Sequence, residues 1–256
     1  MASIDVEALR DKVKAMYQAV ADEPHGTFHF EMGYDLAVRL GYPKEDLDQA
    51  PAEAIESFAG VGHHLGLAAL RAGDRVVDLG SGSGMDAFLA ARRVGDGGQV
   101  VGVDMTDAQL AKSRRLAERD GYSNARFEKG YIENAPVDDA SATVVISNGV
   151  INLCSDKAAV FREIARILEP GGRMAISDIV TEKPLTEAIV CDVNLWASCI
   201  GGAMQVDDYR AAIEAAGLRI DTMRHNPEYA FISDSAQAAT GTFGVKSISV
   251  LATKRP

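Results

Sequence analysis

The stretch that most narrows what this chain can fold into is Val76-Val77-Asp78-Leu79-Gly80-Ser81-Gly82-Ser83-Gly84, an apolar strand that breaks into a turn with glycine at every second position. Glycine has no Cβ and tolerates positive φ, so such a turn lets a ligand lie against bare backbone. The segment from Met85 to Val94 sets apolar Phe88, Leu89 and Val94 among alanines and reads as a helix. Its first N–H groups have no partner within the helix and point back into the loop. Strand, glycine turn and helix in this order make a nucleotide-site candidate.

The spacing separates two kinds of nucleotide site. The dinucleotide fingerprint G-x-G-x-x-G admits a pyrophosphate. Here the spacing is G-x-G-x-G, and Asp78 stands two residues before the first glycine. A carboxylate there repels a pyrophosphate but suits the cationic amino group of a ligand such as S-adenosylmethionine. A nucleotide-dependent oxidoreductase is correspondingly disfavoured. The next apolar strand, Gln99-Val100-Val101-Gly102-Val103, ends on Asp104, twenty residues past Gly84, where a carboxylate can accept hydrogen bonds from ribose hydroxyls.

Apolar runs continue to alternate with helical patterns. Arg126 to Lys129, Thr143 to Asn148 and Met174 to Val180 read as strands, and Leu218 to Met223 and Lys246 to Ala252 as two closing strands. Thr106-Asp107-Ala108-Gln109 matches a capping box opening a helix that runs to Asp120, and Asp156 to Leu168 forms another with a single apolar side. The expected fold class is α/β, a doubly wound, mostly parallel seven-stranded Rossmann-like sheet. Residues 1–70 are expected to form an N-terminal helical cap, because Val6, Leu9, Val13, Met16, Tyr17 and Val20 share one helical face, and residues 71–256 the main domain, with a helical insertion near 185–217.

A net charge of −11 over 256 residues, without a Lys/Arg cluster, argues against a nucleic-acid partner and for a small molecule. No stretch reaches the ~18 apolar residues of a membrane span and no signal peptide is evident, so a soluble, cytoplasmic protein is expected. Cys154, Cys191 and Cys199 make an odd count with no disulfide framework. His25 and His29 have an intervening Gly26 and alternating aromatics, which does not read as a metal pair, so no metal is expected.

The chain resembles the class I S-adenosylmethionine-dependent methyltransferases and, within them, the arsenite methyltransferase family. The resemblance rests on Val77-Asp78-Leu79-Gly80-Ser81-Gly82-Ser83-Gly84, Gly102-Val103-Asp104-Met105-Thr106, Gly130-Tyr131-Ile132-Glu133, Ser147-Asn148-Gly149-Val150-Ile151-Asn152-Leu153, Pro170-Gly171-Gly172-Arg173 and Leu195-Trp196-Ala197-Ser198-Cys199-Ile200-Gly201-Gly202-Ala203. It implies S-adenosylmethionine as cofactor, held by Asp78, Gly80, Ser81, Gly82, Gly84, Asp104, Met105, Ile132, Glu133 and Ser147, with Tyr17 of the cap near the sulfonium. Ile132 would pack on the adenine and the Glu133 region would receive its amine.

The acceptor is expected over Asn148, Gly149 and Asn152 and beside Trp196 and Cys199. The arsenite reading carries over only in part. Cys199 matches a family cysteine, but Gly149 stands where the family has a second, and no cysteine precedes Cys154. The expectation is therefore methylation of a small organic molecule, with arsenite methylation as the alternative and a non-catalytic S-adenosylmethionine-binding protein as a further one. If the acceptor must lose a proton, His63 or His64, in a glycine-bearing loop just ahead of the first strand, is the expected base.

Overall fold

A computed structural model describes residues 5–190, 196 and 200–255. Helix α1 (Val6–Asp22) starts at Asp5, whose carboxylate accepts from the amides of Glu7 and Ala8. Four short helices follow: α2 (Tyr34–Arg39), α3 (Lys44–Leu47), α4 (Ala52–Glu56) and α5 (Leu65–Ala68). Strand β1 (Arg75–Leu79), α6 (Met85–Val94), β2 (Gln99–Asp104), α7 (Asp107–Arg119), β3 (Ala125–Lys129) and β4 (Ala142–Asn148) then alternate. After a 3-10 turn at Ile151–Leu153 come α8 (Lys157–Ile167), β5 (Leu168–Thr181), α9 (Glu187–Val190) and β6 (Met204–Gln205). The chain ends on α10 (Val206–Ala215), β7 (Leu218–His225), α11 (Asp234–Phe243) and β8 (Lys246–Lys254).

The sheet runs β3-β2-β1-β4-β5-β8-β7, with β6 pairing to β5 off this path. It therefore has eight strands, the seven expected and a two-residue one that carries no periodic signal. Strands β1 to β5 are parallel, and β8 is antiparallel to both β5 and β7. The chain steps outward from β1 to β3 and returns to β4, so the sheet's direction of winding reverses between β1 and β4. In an open α/β sheet a ligand binds outside the carboxyl ends of the strands at that reversal.

Successive strand residues face opposite sides, and both sides are buried. Val76, Val100, Val144 and Ile146 join α6 and α7 through Phe88, Leu110 and Leu116 on one face. Val77, Leu79, Val101 and Val145 join α8 and α10 through Phe161, Ile164, Tyr209 and Ile213 on the other. A third apolar cluster sits at the carboxyl end, where Leu9 and Val13 of α1 meet Val61, Leu153, Trp196 and Ile200. This cluster brings α1 over the ends of the parallel strands.

Candidate functional site

A cleft of about 1130 Å³, its open mouth included, lies over the carboxyl ends of β1, β2 and β4. Its floor is the glycine loop. Gly80 and Ser81 donate their amides to Val103 O at 2.8 and 3.0 Å, so the loop folds onto the end of β2. Gly80 has φ +76°, and a Cβ there would come within 2.4 Å of Val150 Cγ2, so only glycine fits between the loop and the residue that follows β4. Gly82 donates to Asp104 Oδ2 at 2.9 Å and Thr106 N to Asp104 Oδ1 at 2.8 Å. Asp104 thus fixes the loop while lining the cleft with Met105. Burial pushes its carboxyl up, and the hydrogen bonds from Thr106 and Gly82 oppose that.

The capping box at Thr106 does not form. The Thr106 hydroxyl bonds to Asp104 instead of capping α7, and Gln109 turns toward the cleft. Gln109 Oε1 accepts from Ser83 Oγ at 2.5 Å, and its Nε2 donates to Tyr17 O at 2.9 Å. The tertiary partners of both side chains displace the local pairing, and the result ties α1 to the glycine loop.

At one end of the cleft Ile132 and Glu133 line the wall below α1. Glu133 is engaged by the Arg10 guanidinium, which also lies 4.5 Å from the Tyr131 ring centre, and Lys14 Nζ donates to Tyr131 Oη at 2.9 Å. At the other end stand Asp78, Asp86, Asn148 and the Phe58-Ala59-Gly60 turn. Asp78 is buried, and its Oδ2 and the Ser81 hydroxyl have no hydrogen-bond partner. Burial, reinforced by the nearby Asp86 and Asp104 carboxylates, raises the Asp78 carboxyl well above the usual range. Asp86 Oδ1 accepts from Tyr42 Oη at 2.7 Å, and its Oδ2 faces Asn148 Nδ2 at 3.2 Å. Asn148 Oδ1 in turn accepts from Val61 N at 2.8 Å, which anchors the loop over β4.

The predicted residues Tyr17, Asp78, Gly80, Ser81, Gly82, Gly84, Asp104, Met105, Ile132, Glu133 and Asn148 are brought together around this cleft. Ser147, Gly149 and Asn152 are not in its wall. Ser147 is buried and donates its hydroxyl to Leu79 O at 2.7 Å, because it is an interior residue of β4. Asn152 is fully buried, with its amide on Asp178. Gly149 lies at φ +71° with its amide on Ser177 O.

His63 and His64 also lie outside the wall. His64 is completely buried with neither ring nitrogen hydrogen-bonded, and His63 packs its ring 4.4 Å from Tyr42. Burial pushes their imidazoles down to about 4 and about 3, and neither ring lines the cleft where a base for the acceptor was expected. Trp196 is buried with Lys157 Nζ 4.9 Å from its ring centre, while Cys191 and Cys199 lie outside the described residues. Arg10, Asp86 and Tyr42 were not among the predicted residues. Asp86 carried the faintest signal, an acid two residues past the last glycine, which reads equally well as a first-turn acid of α6.

Residues 70–217, more than half of the chain, match a methyltransferase domain family. The chain belongs to that family. This methyltransferase domain is 40% identical to an arsenite methyltransferase of Halobacterium salinarum over 77% of this chain and 50% of that protein. It spans about half the length of the curated relatives it matches, 50% and 52% of the first two. An arsenic(III) S-adenosylmethionine methyltransferase from Chlamydomonas reinhardtii is 31% identical, with a TM-score of 0.63 over 88% of this chain and 75% of that one. A geranyl diphosphate methyltransferase solved with sinefungin shares the fold at 18% identity, with a TM-score of 0.68 over 96% and 99% of the two chains.

The cofactor of the family is S-adenosylmethionine, and the cleft of the methyltransferase domain fits it. Unpartnered Asp78 Oδ2 and Ser81 Oγ would suit its cationic, polar tail, the glycine-loop backbone its middle, and buried Ile132 would offer an apolar face to its base. Among the described residues no helix is long and apolar enough to cross a membrane.

Proposed function

We propose that this chain transfers the methyl group of S-adenosylmethionine to a small, largely apolar organic molecule. The observation that carries the reading is the cleft itself: a glycine-loop floor between Asp78 and Asp104, roofed by the apolar Leu9 and Val13 of α1. The sulfonium supplies an activated methyl and a good leaving group. What remains for the protein is to align donor and acceptor at ~3–3.5 Å and to keep water out. Asp104 and the loop amides fix the floor, Asn148 fixes the strand end where the acceptor approaches, and α1 covers the reaction centre. No protein nucleophile or metal is required by this chemistry.

Two features favour an organic acceptor over arsenite. Gly149 replaces a thiol of the resembling family at a left-handed backbone position, with Val61 Cγ1 3.2 Å from where a Cβ would stand. Cys154 does line the cleft, but burial raises its thiol to about 11, so it stays protonated and is a poor ligand for a soft centre at neutral pH. The second reading, arsenite methylation, draws on the 40% identity to the halobacterial enzyme. The purified chain, incubated with S-adenosylmethionine, arsenite plus thiol, and a panel of apolar alcohols, phenols and carbon acids, separates them. Release of S-adenosylhomocysteine with an organic acceptor supports the first. Efficient thiol-dependent methylation of arsenite that is lost in Cys199→Ser establishes the second.

A further inference from the structure

The end of the cleft beside Asn148 holds two carboxylates and, among the described residues, no paired cation. Asp78 and Asp86 are 3% and 6% exposed and both line the wall. Among the described residues neither forms an ion pair with lysine or arginine, and the His64 ring, whose Nε2 lies 3.9 Å from Asp86 Oδ2, is held neutral by burial. Buried carboxylates are ordinarily paired or protonated, because leaving the charge unscreened in a low-dielectric site is costly.

The surroundings are nevertheless built for a charged Asp86. The Tyr42 hydroxyl donates to one oxygen and the Asn148 amide faces the other, and Tyr42 and Asn148 are themselves held together at 3.1 Å. Asp78 Oδ2, by contrast, is left without any donor. Two carboxylates, one pre-oriented and one unsatisfied, make a receptor for a group with several N–H donors and a positive charge.

We propose that Asp86 is a second anchor, with Asp78, for the α-ammonium of the cofactor's methionine moiety, and that cofactor binding drives a proton out of this pair. The inference rests on the S-adenosylmethionine reading given above. The proton leaves a carboxyl of the pair and is taken up by the buffer, while the ammonium keeps its own three and becomes the counter-ion. Tyr42 and Asn148 are positioning residues that aim the Asp86 oxygens.

The other titratable groups that face Asp86 do not obscure the exchange. His63 and His64, from the segment before α5, are pushed down to about 4 and about 3 and stay neutral near pH 6. Tyr42 is held well above its ordinary value and stays protonated. Arg93, on α6 itself, is fixed charge and bonds Asp46. Burial raises Asp86 to about 6 against the hydrogen bonds of Tyr42 and Asn148, which puts its titration in an accessible window.

The test is calorimetric titration of the full chain with S-adenosylhomocysteine and with 5′-methylthioadenosine, which lacks the ammonium. Each is run at pH 6 in buffers of different ionisation enthalpy. S-adenosylhomocysteine is expected to release protons, and methylthioadenosine none. Asp86→Asn should weaken S-adenosylhomocysteine by about 10- to 100-fold and reduce the proton release, leaving methylthioadenosine affinity unchanged. Tyr42→Phe, which removes a donor to the carboxylate, should move the pH midpoint of S-adenosylhomocysteine binding upward. A purely structural role for Asp86 would change both ligands alike and overturns the proposal, as does proton release that persists in full in Asp86→Asn. If neither ligand binds the unaltered chain, the cofactor reading falls and the proposal with it.

Discussion

Gly80 and Asp104 hold the same loop at its start and its middle, one by having no side chain and the other by accepting from Gly82 N. In Gly80→Ala the new methyl must share space with Val150 at a φ of +76°, which costs about 1–3 kcal/mol in strain and overpacking. The expected outcome is a lower melting temperature together with weaker S-adenosylmethionine binding; an unchanged melting temperature would show that β4 and Val150 retreat freely. In Asp104→Ala the amides of Gly82 and Thr106 lose their acceptor, and cofactor affinity should fall by about 1–3 kcal/mol in calorimetric titration. An unaltered affinity would remove Asp104 from the site. Both residues were legible in the sequence because loop, strand and acid are consecutive or fall at a fixed spacing. The Asp86, Tyr42 and Asn148 network was not, since its members come from α6, the turn after α2 and the end of β4, and nothing in their local spacing announces that they meet. The paired histidines show the converse. Adjacent to glycines they read as a candidate base, whereas His64 is completely buried and His63 packs its ring on Tyr42.

At the scale of elements, the roof of the cleft is held mainly by apolar contact. Leu9 and Val13 of α1 are 2% and 3% exposed, whereas the Arg10–Glu133 pair is partly solvated and contributes at most ~1 kcal/mol. Leu9→Ala should therefore loosen α1 by about 2–5 kcal/mol, and Arg10→Ala by far less. Hydrogen exchange of the α1 amides measures this, with β1 and β4 amides as the internal reference. If Arg10→Ala opens α1 as widely as Leu9→Ala, the ion pair and not the apolar face is the hinge pin. The existence of α1 was plain from its periodicity, but what it packs on was suggested only by family resemblance. Helix α11 went unread because Asp234-Ser235-Ala236-Gln237-Ala238-Ala239-Thr240-Gly241-Thr242-Phe243 has no apolar stripe; its start is set by Ser233, which accepts from Ala236 N. The α7 capping box failed for the opposite reason, a strong local pattern overridden by Asp104 and Ser83.

Across the whole molecule, acids and imidazoles taken out of water shift in opposite directions. Burial raises the Asp86 and Asp178 carboxyls to about 6, above the ordinary ~3.9, and depresses His63 and His64 to about 4 and about 3, below the ordinary ~6.5. As pH falls from 6 toward 4 the folded state binds protons at the two acids that the unfolded chain does not yet hold, which adds stability. Over the same interval the unfolded chain binds protons at two imidazoles that the folded state refuses, which subtracts it. Asp78 and Asp104, whose carboxyls burial also raises, add to the first contribution, and the imidazoles oppose it. Removing one imidazole takes away part of the opposing contribution, so the stability of His64→Leu in urea titrations, whatever its absolute level, should rise on going from pH 6 to pH 4.5 relative to the unaltered protein. Parallel pH dependences in the two would mean that His64 is not held neutral. The parallel direction of the first strands followed from alternating strands and helices, whereas the direction of β8 was not legible, because its connection from β7 is long enough for either. The place of β8 has a consequence for biosynthesis. Strand β8 pairs with β5 over eight residues, from Arg173 opposite Thr253 to Val180 opposite Lys246, and so fills an interior slot of the sheet although it is synthesised after the other strands of that sheet. Until it arrives, the nascent chain displays the open edge of β5, the longest strand of the sheet, to any other chain able to add to it.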